Sequence, residues 1–289
     1  MLLLVASCQQ HATDKPQSYT SGEATVVVDE SFAPVIDDQL FVFHSAYPEV
    51  QITPIYKPEN ELLKLFLTDS VRIAVMSRTL SADEEQFFKH KNITIRVNRF
   101  AVDGIALITQ NSNRDSLVKV QDIIQVMKGQ SSKIASLVFD NPNSSTVRYL
   151  KELAGVSQLP AKGIYALKSN PDVIRYVASH SGSIGVVGIN WIEQPDVDLE
   201  QDVAKLKVLA VKNLPGKLGS DQYYKPTQND LALGFYPLMR NLYLINCEGG
   251  AGPGTGFVTF VAGERGQRMI LKSGLLPDSI PSREIIIRK

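Results

Sequence analysis

Three short stretches carry residue types that could hold an anion: Asp29-Glu30-Ser31-Phe32, Met76-Ser77-Arg78-Thr79-Leu80-Ser81 and Asn141-Pro142-Asn143-Ser144-Ser145-Thr146. Each follows an apolar run and precedes a helical pattern. Each therefore sets hydroxyls beside the N–H groups of a helix's first turn, which have no acceptor within the helix. Several fixed donors and the positive end of a helix dipole are what a tetrahedral oxyanion needs. Charge-assisted hydrogen bonds contribute roughly 1.5–3 kcal/mol each, so a few suffice for tight capture. Taken singly, each stretch also reads as a plain N-cap, because Ser and Asn are ordinary capping residues. Arg78 is either a surface charge or the counter-ion of a bound anion. Arg148 falls in the first turn of its helix, where a cation opposes the dipole. A neighbouring anion would account for it, and so would solvent.

These stretches need elements to position them, and the chain supplies a regular alternation. "ATVVVD" is a continuous β-branched run, the mark of a strand buried on both faces. Phe32, Ile36, Leu40 and Phe43 then recur at helical spacing. "VQITPIY" and "VRIAVM" read as strands, and "ENELLKLFL" and "SADEEQFFKH" as helices, the latter with an acidic first turn. "ITIRVNRFAVDGIALIT" is one long extended stretch. "VQDIIQVMKG", "SSTVRYLKELAG" and "PDVIRYVASHSG" are helices stopped by Gly129, Gly155 and Gly182, and "IASLVFD", "SIGVVG" and "LKVLAV" are strands between and after them. "LALGFYPLMRNLYLIN" reads as mostly extended, "GTGFVTFVAGERGQRMILKSG" as a helical pair, and "REIIIR" as a closing strand. Such alternation predicts an α/β fold, a largely parallel sheet with helices on both faces, whose ligands sit at the carboxyl ends of strands.

The totals narrow the function. The chain has 289 residues, 44% of them hydrophobic, and 30 basic residues balance 30 acidic ones. A nucleic-acid-binding surface would need clustered basic charge, so no nucleic-acid partner is expected. A small anion can be held by local dipoles without net positive charge. His11, His44, His90 and His180 show no metal-ligand spacing, and no metal or cofactor is expected. "GGAGPGTGF" (249–257) lacks the Lys and spacing of a phosphate-binding glycine loop and reads as a loop before a helix. Asp103-Gly104 has no nucleophile elbow beside it, and no nucleophile–base pair can be assembled, so the chain does not read as an enzyme. Phe32, Trp191 and the Tyr223-Tyr224 pair read as packing or rim residues.

The first residues, "MLLLVASCQQ", look like the end of a bacterial lipoprotein signal, with Cys8 as the lipidated residue and the basic n-region missing. Residues 9–22 are polar and without periodicity, a tether. Membrane attachment would then run through the lipid anchor only, in the periplasm or cell envelope. Cys247 follows an apolar run and reads as a buried structural thiol.

Over nearly all of the mature chain the sequence resembles the periplasmic phosphate-binding proteins of ABC importers (PstS-type) and the wider type 2 solute-binding superfamily. Ser31-Phe32 matches that family's small-residue-plus-Phe loop, "MSRTLSADEE" its second loop and "DNPNSSTVRYL" its Ser-Gly-Thr loop. "AVDGIALITQNSN" and "GFYPLMRNLYLI" resemble its two crossovers, and "FVTFVAGERGQRMILKSGLLP" its C-terminal helix. The resemblance implies a two-lobed periplasmic-binding-protein-like (type 2) fold with two crossover connections. One lobe would hold residues 23–103 plus 232–289 and the other 104–231, after a signal remnant and tether at 1–22. It implies a binding protein that captures phosphate or a similar oxyanion in an interlobe cleft for an ABC permease or another envelope complex. Ser31, Phe32, Ser77, Arg78, Asn143, Ser144, Ser145 and Thr146 are the ligand-binding candidates. The charged residues depart from the family. Arg78 stands where the family has a proton-accepting Asp, Asp140 lies where it has an Arg, and "YKPENE" replaces a Gly-Ser-Ser turn. Those departures keep open a scaffold or sensor on the same fold, with an altered or lost ligand site, docking a membrane partner.

Overall fold

The structure, a computed structural model, describes residues 17–279. The proposed lipidation residue Cys8, most of the tether, His11 and the closing strand expected at "REIIIR" lie outside the described residues.

The alternation builds the expected elements. β1 (Gly22–Asp29) enters a single 3₁₀ turn (Glu30–Phe32) and then α1 (Ala33–Ala46). β2 (Val50–Lys57), α2 (Glu59–Phe66), β3 (Ile73–Met76) and α3 (Ala82–His90) follow. The long extended stretch is one 15-residue strand, β4 (Arg96–Gln110). Next come β5 (Leu117–Lys119), α4 (Val120–Met127), β6 (Leu137–Phe139), α5 (Ser145–Ala154), β7 (Ile164–Ala166), α6 (Asn170–Ser179) and β8 (Ile184–Gly188). Two four-residue helices, α7 (Asn190–Glu193) and α8 (Glu200–Val203), lead to β9 (Leu206–Val208) and β10 (Ala210–Lys212). α9 (Gln228–Ala232), β11 (Met239–Asn246), α10 (Pro253–Ala262), α11 (Glu264–Lys272) and β12 (Leu276–Pro277) complete the described chain.

Two readings are corrected. "LKVLAV" is not one strand: β9 pairs with β4 and β10 with β5, the switch falling at Leu209, whose amide donates to Leu107. "LALGFYPLMRNLYLIN" begins in the short helix α9, capped by Thr227 and left through Gly234 at φ +70°, and is extended only from Met239.

The main sheet runs β2-β1-β3-β11-β4-β8-β6-β7, with β9 and β12 also on β4. β4 is the spine. Its residues Arg96–Gly104 pair with β11, and from Ile105 it pairs with β8 and β9. β1, β2 and β3 run parallel to one another, β11 is antiparallel to both β3 and β4, and β8 is antiparallel to β4 while parallel to β6. Hence β1 and β3 run in the direction of β4, whereas β6 and β8 run against it. The carboxyl ends of the two groups therefore face each other near the middle of β4, where Gly188 pairs with Ile105.

Side chains alternate across this sheet and divide the core. Val26, Val28, Val75, Val138 and Val187 face one continuous cluster, covered by α1, α6, α10 and α11. On the opposite face the core is split. Val27, Ala74 and Met76 pack with Leu62 and Phe66 of α2 and Phe88 of α3. Leu137, Phe139 and Val186 pack with Ile123 of α4 and Val147 and Leu150 of α5.

Candidate functional site

The facing carboxyl ends bring Ser31, after β1, to Ser145, at the start of α5. Their hydroxyl oxygens lie 3.3 Å apart. Ser31 is held by its amide on Asp29 Oδ1 at 3.0 Å, and its carbonyl accepts from Trp191 Nε1 at 2.9 Å and Asn190 Nδ2 at 3.3 Å. Phe32 is fully buried, and the Arg240 guanidinium lies 4.7 Å from its ring centre. Arg240, from β11, donates through Nε to Asp103 of β4 at 2.9 Å and through Nη1 to Ser145 at 2.7 Å.

α5 begins as its sequence demands. Ser144 is the N-cap and accepts from the Val147 amide, and its hydroxyl meets Thr146 Oγ1 at 2.9 Å. Thr146 donates to Asp140 Oδ1 at 3.0 Å, and Asn170 donates to the other oxygen of the same carboxylate at 3.2 Å. The amides of Ser145 and Thr146 belong to this first turn and by helix geometry have no acceptor inside it. Asn143 is exposed; its carbonyl accepts from the amide of Asn60 at 3.3 Å.

Ser77 and Arg78 join a second, adjoining cluster around Glu59. The Ser77 hydroxyl donates to Glu59 Oε2 at 3.1 Å and receives Arg148 Nη2 at 2.9 Å. Arg148 also donates to Glu59 through Nε and Nη2. Arg78 makes a two-point ion pair with Glu84, both contacts at 2.8 Å, and its Nε lies 3.7 Å from Glu59. Arg148, placed against the dipole of α5, is thus accounted for by an internal anion.

Carboxylates crowd the junction. Burial, then the charge of Glu59, raises Asp29 to about 6, against the opposing pull of Arg240 and the Ser145 and Ser31 hydrogen bonds. Burial, then the charges of Asp140, Asp29 and Glu61, raises Glu30 to about 7, with Lys57 opposing. Asp103 and Asp140 are also raised by burial, their hydrogen-bond partners opposing. Asp29 Oδ2, Asp103 Oδ1, Asn190 Oδ1 and Asn170 Oδ1, all acceptors, and the donor Arg240 Nη2 are buried without a protein partner. Four of these five buried atoms are acceptors and one is a donor.

Sequence reasoning passed over Arg240, Asp103, Asp29 and Glu59 as site residues. For the first two a signal exists: Arg240 is the lone charge of β11 and Asp103 the lone charge in the apolar run 100–108 of β4, and such charges are buried as pairs. Among the described residues no helix is long and apolar enough to cross a membrane. Cys247 is buried as expected, and burial pushes its thiol up to about 11.

Residues 13–265 match the family model described as the PBP superfamily domain. No functionally curated protein matches the chain in sequence. Among solved structures, the fold is similar to a protein from Clostridium perfringens described as a phosphate ABC transporter substrate-binding protein with bound phosphate. The two share 20% identity and a TM-score of 0.70, over 89% of this chain and 100% of that one. It is also similar to an ABC-type phosphate transport receptor from Vibrio cholerae, at 18% identity and a TM-score of 0.65, over 89% and 100% of the two chains. The CcmR regulatory domain of Synechocystis in complex with 2-PG gives 13% identity and a TM-score of 0.56, over 84% and 96%. These likenesses establish the type 2 periplasmic-binding-protein fold, shared by receptors and regulators alike.

Proposed function

The chain belongs to the PBP superfamily, and we propose that it is a solute-binding protein capturing a protonated tetrahedral oxyanion, phosphate first, for ABC-type import. In this reading residues 23–103 plus 232–289 form one lobe, residues 104–231 the other, and the solute binds between them. Cys8 carries the lipid that anchors the protein in the periplasm or cell envelope. The protein performs no chemistry on its solute.

One observation carries the reading: Ser31, Ser145 and Arg240, from three separate segments, meet within hydrogen-bond reach at the first turn of α5. An oxyanion taking the place of their mutual contacts would find two hydroxyls, a guanidinium and first-turn amides as donors. Thr146, Ser144 and Asn143 extend the same loop, and Ser77 and Arg78 border it. The buried carboxylates select the protonation state. Asp29 and Asp140 accept a hydrogen bond from an oxyanion that keeps a proton and repel one that does not. Phosphate and arsenate keep a proton near neutral pH, and sulfate does not. The phosphate-bound Clostridium perfringens structure of the same fold supports this choice.

Calorimetric titration with phosphate, arsenate and sulfate tests it. The first two should give saturable binding, weakened by Ser145→Ala, and sulfate should give none. No heat with any of the three would overturn the reading. A second reading would then stand, a scaffold or sensor on the same fold. One observation favours it: Ser31, Phe32, Ser145 and Thr146 are all fully buried and already bonded or packed against protein groups.

A further inference from the structure

The cluster around Glu59 has the composition of an anion site with an internal occupant. Its donors are one hydroxyl, Ser77, and two guanidinium groups, Arg148 and Arg78, drawn from the β3–α3 loop and from α5. Both oxygens of the Glu59 carboxylate are engaged: Oε1 by Arg148 Nε, with Arg78 Nε 3.7 Å away, and Oε2 by Ser77 and Arg148 Nη2. The Glu59 side chain is only 2% exposed. A planar guanidinium fork with a hydroxyl beside one of its arms is a geometry that binds carboxylates and tetrahedral anions.

Two further features make the occupant exchangeable. Each arginine has a second carboxylate partner, Glu84 for Arg78 and Glu152 for Arg148, so neither cation is stranded when Glu59 leaves. A pocket of about 260 Å³ opens beside the cluster, lined by Arg148, Asn60, Ser144, Lys151 and Glu152 among others, and gives a route to the guanidinium. The position of the ion pair also matters. Glu59 opens α2, whose Leu62 and Phe66 pack in one core, and Arg148 lies on α5, whose Val147 and Leu150 pack in another. These two cores are separate on this face of the sheet, and the Glu59–Arg148 pair bridges them.

We propose that Ser77, Arg78 and Arg148 form an anion-binding site in which the Glu59 carboxylate is an exchangeable internal ligand, displaced by small carboxylates or oxyanions entering beside Arg148. Exchange breaks the side-chain link between α2 and α5 and leaves the Asn60–Asn143 hydrogen bond as a remaining tie, so the site couples anion binding to the hold between the two halves of the fold. The inference does not depend on phosphate binding at Ser31 and Ser145.

The test uses acetate, which has neither the fourth oxygen nor the retained proton that the Ser31–Ser145 junction calls for. Glu59→Ala should melt below the wild type and be restored saturably by acetate, with chloride at equal ionic strength as the control. Adding Arg148→Met should weaken that response by roughly tenfold or more. Should Glu59→Ala not fold, Glu59→Gln keeps the shape and loses the charge. It should bind acetate roughly tenfold more tightly than the wild type, by chemical-shift titration. An acetate response absent from both variants overturns the proposal, whatever phosphate does at Ser145.

Discussion

The guanidinium of Arg240 donates to the hydroxyl of Ser145 at 2.7 Å while its Nε holds Asp103 at 2.9 Å. A single side chain of β11 thus ties the spine strand β4 to the first turn of α5. Both charges are buried, Arg240 to 2% and Asp103 to 0% side-chain exposure. Removing one partner of such a pair costs about 3–5 kcal/mol, because the other is left buried and uncompensated. Arg240→Met should lower unfolding free energy by that order, and Asp103→Asn added to it should recover part of the loss. Denaturant titrations of the four proteins in the cycle measure both. An Arg240→Met loss below about 1 kcal/mol would show that the pair is not what fixes this junction.

The raised carboxyls set a pH dependence with a definite sign. Asp29 rises from an ordinary 3.8 to about 6, and Glu30 from 4.5 to about 7. In the window between each pair of values the folded chain keeps a proton that the unfolded chain has lost. The stability these groups contribute is therefore complete below the unfolded values and is lost as pH rises through about 6 to about 7. Glu30→Gln, neutral at every pH, should match the wild type near pH 4 and exceed it near pH 8 in thermal melts. A variant whose profile parallels the wild type across that range would exclude Glu30 as a source of the slope.

Gly188 ends β8 beside the same junction. A Cβ there would lie 2.4 Å from Asn190 Oδ1 and 3.3 Å from Asp103 Oδ2. Asn190 holds the carbonyl of Ser31, so relief of the clash moves a residue that positions the proposed site. Gly188→Ala should cost about 1–3 kcal/mol, as overpacking does. It should also weaken phosphate binding more than a Gly182→Ala control, since Gly182 meets nothing within 4 Å and tests only the loss of a positive-φ glycine. Equal effects in the two variants would place the strain away from the site.

What the sequence disclosed and what it hid divide along the range of the interactions. The Val26–Val28 run declared a strand covered on both faces, and all three residues are fully buried, Val27 facing one core and its neighbours another. Ser81 and Glu84 form the capping box that the Ser-x-x-Glu spacing announces, and Gly155 leaves α5 at φ +65°. Those are local rules acting over a few residues. The site is built otherwise: Ser31 meets Ser145 across 114 residues, Arg240 meets Asp103 across 137 and Arg148 meets Glu59 across 89. Such partners are set by which strands share the sheet, and no local spacing specifies that. Arg78 is the instructive intermediate case. Its partner Glu84 is only six residues away, yet Glu84 is also the capping-box acid, and one carboxylate serving both roles hides the second.

Thr146 gives the most direct probe of the carboxylate side of the junction. Its hydroxyl donates to Asp140 Oδ1 at 3.0 Å and lies 2.9 Å from the Ser144 hydroxyl that caps α5. Thr146→Val keeps the shape and removes the donor, which leaves a buried acceptor short of a partner at about 1–3 kcal/mol. Asp140 retains Asn170 at 3.2 Å, so it stays in place but becomes less acidic. Asp140→Asn in the Thr146→Val background should then cost less than Asp140→Asn alone, a coupling that a denaturation double-mutant cycle reads directly. The same two proteins separate support from recognition. If Asp140 accepts the proton of a bound oxyanion, Asp140→Asn alone should weaken phosphate binding and narrow its preference over sulfate, with Asp29 still repelling sulfate, and Thr146→Val should not. Phosphate affinity unchanged in Asp140→Asn would remove Asp140 from the recognition of the solute.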